Sequence, residues 1–313
     1  MRLVIGVDGG GSRTRLLLAS ADGQEIASAE GPKSAVRPGE AFRSADVIAS
    51  LVEQALSESG HGGAMPSVLY AGLAGVGREE ERRALQSELE ARDVADDIVV
   101  DTDAGIALYD AFGEGPGIIL IAGTGSIAYA RGVNGAYARC GGWGPIFGDE
   151  GGGSWIGRRA LNVVSAAADG REPPTALTGA ILTAAEVNTV EDLIPWAAAA
   201  SAGDLAELAP AVFTAAAAGD VRAGALVGLA VEELTLHVRS LAVRAFGDER
   251  AAVTVAFAGG LLGKGSMLRT RLELRLKSAV PGARLNRSEV QPVRGAIRAA
   301  VLRTHLPTAP SPR

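Results

Sequence analysis

The stretch Val4-Ile5-Gly6-Val7-Asp8-Gly9-Gly10-Gly11-Ser12-Arg13-Thr14, followed by Leu16-Leu17-Leu18, decides how the chain is read. Its short apolar run predicts a buried strand reaching Asp8, and the three glycines predict a tight turn into a second strand. The pattern recurs in Ile118-Ile119-Leu120-Ile121-Ala122-Gly123-Thr124-Gly125-Ser126, followed by Ile127-Ala128-Tyr129. Each second strand runs into a polar turn, Asp22-Gly23 or Asn134-Gly135, and such dipeptides favour hairpins with positive φ. A strand, glycine turn, strand and hairpin used twice predict a duplicated domain. Free backbone N–H groups at such turns suit a polyphosphate, so a nucleotide is the first ligand to consider. A side chain at Gly10 or Gly125 would fill the phosphate space and oppose a positive φ.

The 313 residues suit two domains of ordinary size. Hydrophobic residues make up 47% and charged ones 21%, which predicts a soluble globular protein. A net charge of −6 gives no electrostatic reason to expect nucleic acid or an acidic membrane surface. Cys140 is the only cysteine, so neither a disulfide framework nor a cysteine metal cluster is available, and a cytoplasmic location is expected. The apolar stretch from Trp196 to Ala218 is broken by Asp204, Glu207 and Pro210, which argues against a membrane span.

The first hundred residues alternate strand and helix patterns. Helices are predicted over Ala41–Ser59, Arg78–Ala91 and Ala104–Ala111, and strands over Ser67–Leu73 and Asp97–Val100. Gly113 to Gly117 is the best linker before the second copy. From about residue 152 to residue 246 the pattern is almost all helical; a strand over Ala252–Ala258 and a helix over Val293–Leu306 follow. Alternation in both halves predicts parallel or mixed sheets covered by helices.

The densest stretch runs from Cys140 to Trp155: Cys-Gly-Gly-Trp-Gly-Pro-Ile-Phe-Gly-Asp-Glu-Gly-Gly-Gly-Ser-Trp. Seven glycines in 16 residues predict a loop shaped for close approach to its backbone. The Asp149 carboxylate can accept two neighbouring hydroxyls and the Trp143 face can cover a sugar ring, although an irregular Ω-loop would use the same residues. Asp103, at a strand end, is a candidate base; helix capping alone would also explain an acid there. Gly123-Thr124-Gly125-Ser126-Ile127-Ala128 also fits a dinucleotide pattern, but that motif must open a helix and Ile127 to Arg131 reads as a strand. A phosphate loop of the Walker type is excluded, because Ala258 to Gly265 lacks the first glycine and ends in Gly265 where Ser or Thr should stand.

In order and spacing, Asp8-Gly9-Gly10-Gly11-Ser12, Asp103-Ala104, Gly123-Thr124-Gly125-Ser126 and Gly141-Gly142-Trp143-Gly144 to Gly148-Asp149-Glu150-Gly151 resemble a known group. It is the N-acetylglucosamine kinase branch of the BadF/BadG/BcrA/BcrD ATPase-like family, within the actin, hexokinase and Hsp70 superfamily. The resemblance runs from about residue 4 to residue 305 and is most specific over 141–151. It implies an α/β fold of two duplicated ribonuclease-H-like (actin-like ATPase) domains, with an interdomain cleft that closes on ATP and a sugar. The implied domains are 1–114, joined by the helix at 293–306, and 115–292 with a helical insertion; 307–313 would be a disordered tail.

The same resemblance implies roles. Asp103 would take the proton from the sugar's 6-hydroxyl. Asp8, Gly10, Gly11, Ser12, Thr124 and Gly125 would face the phosphates, Asp8 would also face Mg2+, and Gly219, Gly259 and Gly260 would flank the adenosine. Ser126, Gly142, Trp143, Gly144 and Asp149 would hold the sugar, and the place of a hexosamine-binding Asn is taken by Ala35. The implied partners are ATP, Mg2+ and a sugar, with no nucleic acid, no membrane and a homodimeric assembly. Activators in the broader family bridge an iron–sulfur cluster with two cysteines per subunit, and this chain has one. Two rivals stay open: a non-catalytic sugar or nucleotide sensor on the same fold, and a dinucleotide-binding oxidoreductase.

Overall fold

A computed structural model of the protein describes residues 2–11 and 13–305. Ser12 and the tail at 307–313, both singled out above, lie outside the described residues. The chain divides into two compact units. One takes the chain up to Glu114 and resumes at Val290; the other is Gly115–Glu289.

The first unit opens with β1 (Leu3–Gly9), β2 (Arg13–Ser20) and β3 (Glu25–Pro32), an antiparallel meander. After α1 (Ala41–Glu58), β4 (Val68–Leu73) pairs parallel with β1, and after α2 (Glu79–Glu90), β5 (Asp97–Thr102) pairs parallel with β4. The order across the sheet is β3-β2-β1-β4-β5, and α3 (Asp103–Phe112) follows directly.

The second unit repeats this plan. Strands β6 (Gly117–Ala122), β7 (Ser126–Arg131) and β8 (Tyr137–Gly141) form the meander, while β9 (Val253–Ala258) and β10 (Ala283–Leu285) add in parallel. Its order, β8-β7-β6-β9-β10, matches the first sheet strand for strand. This is the α/β duplication of ribonuclease-H-like halves expected from the sequence. Ser126 opens a strand and not a helix, so the dinucleotide motif lacks the context that it needs.

In place of the crossover helix of the first unit, the second carries α4 (Gly153–Ala168), α5 (Leu177–Ala184), α6 (Leu193–Ala199), α7 (Ala202–Ala206), α8 (Ala209–Ala217) and α9 (Val221–Phe246), with α10 (Met267–Ala279) before β10. Helix α9 starts where Asp220 Oδ1 accepts the Ala223 N–H at 2.9 Å and stops at Gly247, whose φ of 89° suits only glycine. Leu226, Val227, Ala230, Leu234, Val238 and Leu241 recur at helical spacing and are buried with Ile118, Leu120 and Trp155. Among the described residues no single helix is long and apolar enough to cross a membrane; only a pair bent by 119°, Ala202–Ala217 with Val221–Phe246, passes on length and composition.

One face of the first sheet packs on α1 through Ile5, Val7, Leu16, Ile48 and Leu51. The other is covered by α11 (Pro292–Thr304), where Ile297 and Ala300 meet Val4, Ala19 and Val68. Gly6 and Gly295 make that approach possible, since a Cβ on Gly6 would strike the α11 backbone and one on Gly295 the carbonyl of Ile106. In the two hairpins only the glycines take positive φ, 87° at Gly23 and 77° at Gly135, so neither turn has the doubly positive form that the dipeptides suggest.

Candidate active site

Parallel strands bring their carboxyl ends to one edge, where α/β proteins place ligands. In the first unit the register aligns Asp8 with Gly72 and Gly72 with Asp101. A Cβ on Gly72 would collide with Ile106, so α3 lies directly on β4 and carries Asp103 to the same edge. The helix cap is Thr102, whose Oγ1 accepts the Gly105 N–H at 3.0 Å. Capping therefore does not explain Asp103, the first residue inside the helix, whose Oδ1 accepts the Ala104 N–H at 2.9 Å. Asp101 turns to Tyr70, accepting its hydroxyl at 3.0 Å.

These carboxylates are electrostatically strained. Burial pushes the pKa of Asp103 up, and the negative charge of Asp101 adds to the rise. Asp8 is raised to about 6 by burial and then by the charge of Asp103, against the pull of Arg15 and Arg13. Hard oxygen donors that repel one another suit a divalent cation. Among the described residues no group of three or more His, Cys, Asp or Glu side chains could hold a metal. Magnesium carried on phosphate needs only one or two carboxylates, so Asp8 fits it.

The first glycine turn differs in detail from expectation. The N–H of Gly10 donates to Arg13 O at 3.0 Å, and its carbonyl accepts from Ser34 and Ala35 at 3.2 Å each, which places Ala35 against the turn. Gly9 lies under Ser34 Oγ. A Cβ on Gly10 would meet only Arg13 O, at 3.6 Å, and one on Gly11 would meet nothing. Neither has positive φ, nor do Gly123 and Gly125, so backbone conformation does not demand glycine at these four positions, and only at Gly125 would a Cβ strike a neighbour, the Asp149 carboxylate.

In the second unit the corresponding turn is tied into the long loop. Gly123 N–H donates to Gly125 O at 2.9 Å. The first N–H groups of α4 then bond back to the turn, Gly153 to Gly123 O and Ser154 to Thr124 O, both at 2.8 Å. Gly142 N–H donates to Ser126 O at 3.0 Å, and Ser126 Oγ donates to Glu150 O at 2.6 Å. Ser126 is buried and its hydroxyl is committed to the loop, so in this structure it braces the loop from inside.

Asp149 is held with φ of 57° and accepts the Gly144 N–H at 3.3 Å. Its carboxylate lies over Gly125, where a Cβ would overlap it. Burial raises its pKa, and the charge of Glu150 raises it further. Gly141, Gly142, Gly144 and Gly151 all take positive φ. Trp143 is 60% exposed, with the Arg139 guanidinium 4.8 Å from its ring centre and the Phe147 ring at 6.4 Å. The core tryptophan of this stretch is Trp155, which is buried.

Gly259, with φ of 89°, backs onto Ala122 at the end of β6, so it and Gly260 stand beside the second glycine turn. Gly219, with φ of 93°, closes the turn between α8 and α9. Asp8, Gly10, Gly11, Ala35 and Asp103 thus gather in the first unit. Thr124, Gly125, Ser126, Gly142, Trp143, Gly144, Asp149, Gly259 and Gly260 gather in the second.

Sequence reasoning missed two polar side chains that lie beside these residues. Ser154 Oγ is buried without a hydrogen-bond partner at the start of α4; the glycines before it hid the helix start. His237 lies under Gly141, bonded through Nδ1 to Glu233 O at 2.7 Å and 3.9 Å from the Glu150 carboxylate; the core periodicity of α9 absorbed it.

A kinase named for N-acetylmuramic acid and N-acetylglucosamine from Clostridium acetobutylicum is 31% identical over 264 residues, covering 84% of this chain and 86% of its own length. An N-acetyl-D-glucosamine kinase from Dictyostelium discoideum is 28% identical over 308 residues, covering 94% and 96%. A crystal structure from Chromobacterium violaceum, provisionally assigned as an N-acetylglucosamine kinase, superimposes with a TM-score of 0.80 at 33% identity, covering 95% of this chain and 98% of that one. The model of the BadF/BadG/BcrA/BcrD ATPase family matches residues 5–302, and the chain belongs to that family.

Proposed function

We propose that this protein is an ATP-dependent kinase that phosphorylates the 6-hydroxyl of an amino hexose such as N-acetylglucosamine or glucosamine. The observation that carries the reading is the glycine turn repeated at the matching edge of two like-ordered sheets, with a pKa-raised carboxylate beside each turn. Phosphoryl transfer needs little covalent chemistry from a protein; it needs positioning and stabilisation of charge. Gly10 and Gly11 leave open the space that a side chain would take, as close approach of phosphate requires, although the Gly10 N–H is itself bonded to Arg13 O. Thr124 and Gly125 take the same part in the second unit, with Gly259 and Gly260 beside them on the nucleotide side.

Asp103 accepts the proton of the sugar hydroxyl. Its raised pKa brings it nearer to neutral pH, where a base is most effective. Asp149 accepts sugar hydroxyls from its fixed place over Gly125, Gly142 and Gly144 shape the loop, and Trp143 covers the apolar face of the ring. Asp8 would hold magnesium, which when bound neutralises phosphate charge. We place the protein in the cytoplasm, where ATP is available, as a homodimer. The test is ADP release measured with N-acetylglucosamine, glucosamine, N-acetylmuramic acid and glucose; absence of sugar-stimulated release with all four overturns the reading.

A further inference from the structure

Helix α9 carries one buried ionisable side chain that the proposed reaction leaves unused. The Nδ1 atom of His237 lies 2.7 Å from Glu233 O. A carbonyl oxygen can only accept, so Nδ1 holds a proton and the helix backbone fixes the ring. A second proton must therefore sit on Nε2. That atom lies against Gly141, where a Cβ would overlap it, and 3.9 Å from the Glu150 carboxylate. An open groove of about 560 Å³, lined by Cys140, Gly141, Glu150 and His237, brings water to this edge of the ring, so the proton can exchange.

We infer that His237 is a positioning residue: its protonated ring attracts the Glu150 carboxylate and latches the long loop onto α9. When Nε2 is neutral its lone pair faces that carboxylate, and the latch is released. Glu150 follows Asp149 in the chain, and its carbonyl accepts the Ser126 hydroxyl at 2.6 Å. A shift of Glu150 therefore moves Asp149, the residue proposed to hold the sugar. The arginines nearby are engaged elsewhere. On β8, Arg139 stacks on Trp143; on α9, Arg244 donates to Arg139 O at 2.9 Å and Arg239 is 3.8 Å from Glu249. Glu233 and Cys140 also line the groove. The latch holds at low pH and is lost as pH rises and the second proton leaves. Asp149 works in the opposite sense. Burial and the charge of Glu150 raise its pKa, so rising pH completes its ionisation and makes it a better acceptor of sugar hydroxyls. A loss of sugar affinity with rising pH thus points away from Asp149 itself.

The test has two readouts, and only the second rests on the kinase reading. The first is amide hydrogen exchange over residues 141–152 of the free protein at about pH 6 and pH 8.5, corrected for the intrinsic pH dependence of exchange. Protection of the wild-type loop falls by about fivefold or more at the higher pH. His237→Gln, uncharged at both values, and Glu150→Gln, which removes the partner, each lose this difference, whereas Cys140→Ala keeps it. The Glu150 side chain is 31% exposed, so its variant decides the matter should His237→Gln misfold. The second readout is calorimetry with N-acetylglucosamine, a sugar with no titrating group. Its dissociation constant rises about tenfold between the two pH values in the wild type and stays flat in His237→Gln and Glu150→Gln. A wild-type loop without a pH response, a response that persists in Glu150→Gln, or one abolished by Cys140→Ala overturns the inference. An exchange response with a pH-independent dissociation constant overturns the positioning role. Absence of sugar binding at both pH values counts against the kinase reading, and the exchange data then decide the latch alone.

Discussion

The carboxylate of Asp149 lies on Gly125 so closely that a Cβ there would overlap it. A glycine turn and an acidic loop 24 positions apart are thereby one object. Gly125→Ala should displace Asp149 and lower affinity for both sugar and MgATP by at least about tenfold. Gly10→Ala meets only Arg13 O at 3.6 Å, so it should fold normally and weaken MgATP alone. Calorimetry of each ligand, with melting temperature as the control, separates the two. Equal and unchanged binding in both variants would show that the turns are ordinary hairpins.

Asp103→Asn should lower kcat by about 10²–10⁴-fold and leave the sugar dissociation constant within a factor of about three. The amide keeps the size of the carboxylate and accepts the Ala104 N–H, but it cannot take up a proton. Because burial and Asp101 raise its pKa, the acid limb of kcat/KM should fall above the ordinary carboxylate range. A variant that retains more than about a third of wild-type turnover removes Asp103 from the reaction.

Asp8 makes a prediction about stability. Its pKa of about 6 lies above the unfolded value of 3.8, so the folded state holds the proton more tightly. Ionising it as pH rises from 4 to above 6 destabilises the fold by at most about 3 kcal/mol. In metal-free buffer Asp8→Asn should therefore raise the melting temperature at pH 8, and the gain should vanish near pH 4. An equal effect at both values would show that the carboxylate is not strained.

Asp149→Asn preserves a residue type that tolerates φ of 57° and removes the charge. Loss of a charged hydrogen-bond acceptor costs about 1.5–3 kcal/mol, so KM for the sugar should rise about 10- to 150-fold, with a smaller effect on kcat. Unchanged sugar binding by calorimetry would leave Asp149 as a brace for the loop.

Much of this was legible in the chain itself. Apolar periodicity and the paired glycine turns gave the order of strands and helices in the first unit and the second meander, because a buried strand up to Asp8 and another up to Ala122 need such runs. Helix α10 and the short edge strand β10 went unforeseen. Asp103 and Asp149 stood out for their positions at a strand end and in a glycine-rich loop. What was not legible depends on residues distant in sequence. The burial of Ser126 against Glu150, Asp149 over Gly125 and His237 under Gly141 are tertiary contacts with no local signature. The capping role fell to Thr102 and not to the acid beside it, since a hydroxyl in extended geometry reaches the Gly105 N–H. Positive φ was expected at the phosphate turns and found instead around the long loop.

Helix α11 has a consequence for biogenesis. The first sheet lacks the cover over Val4, Ala19 and Val68 until Ile297 and Ala300 are made, after all of Gly115–Glu289. Synthesis thus delivers a contiguous second unit whole while the first still exposes an apolar sheet face. The unit that is translated earliest is completed last, and a nascent chain stalled before Val290 would be the species that chaperones must shield.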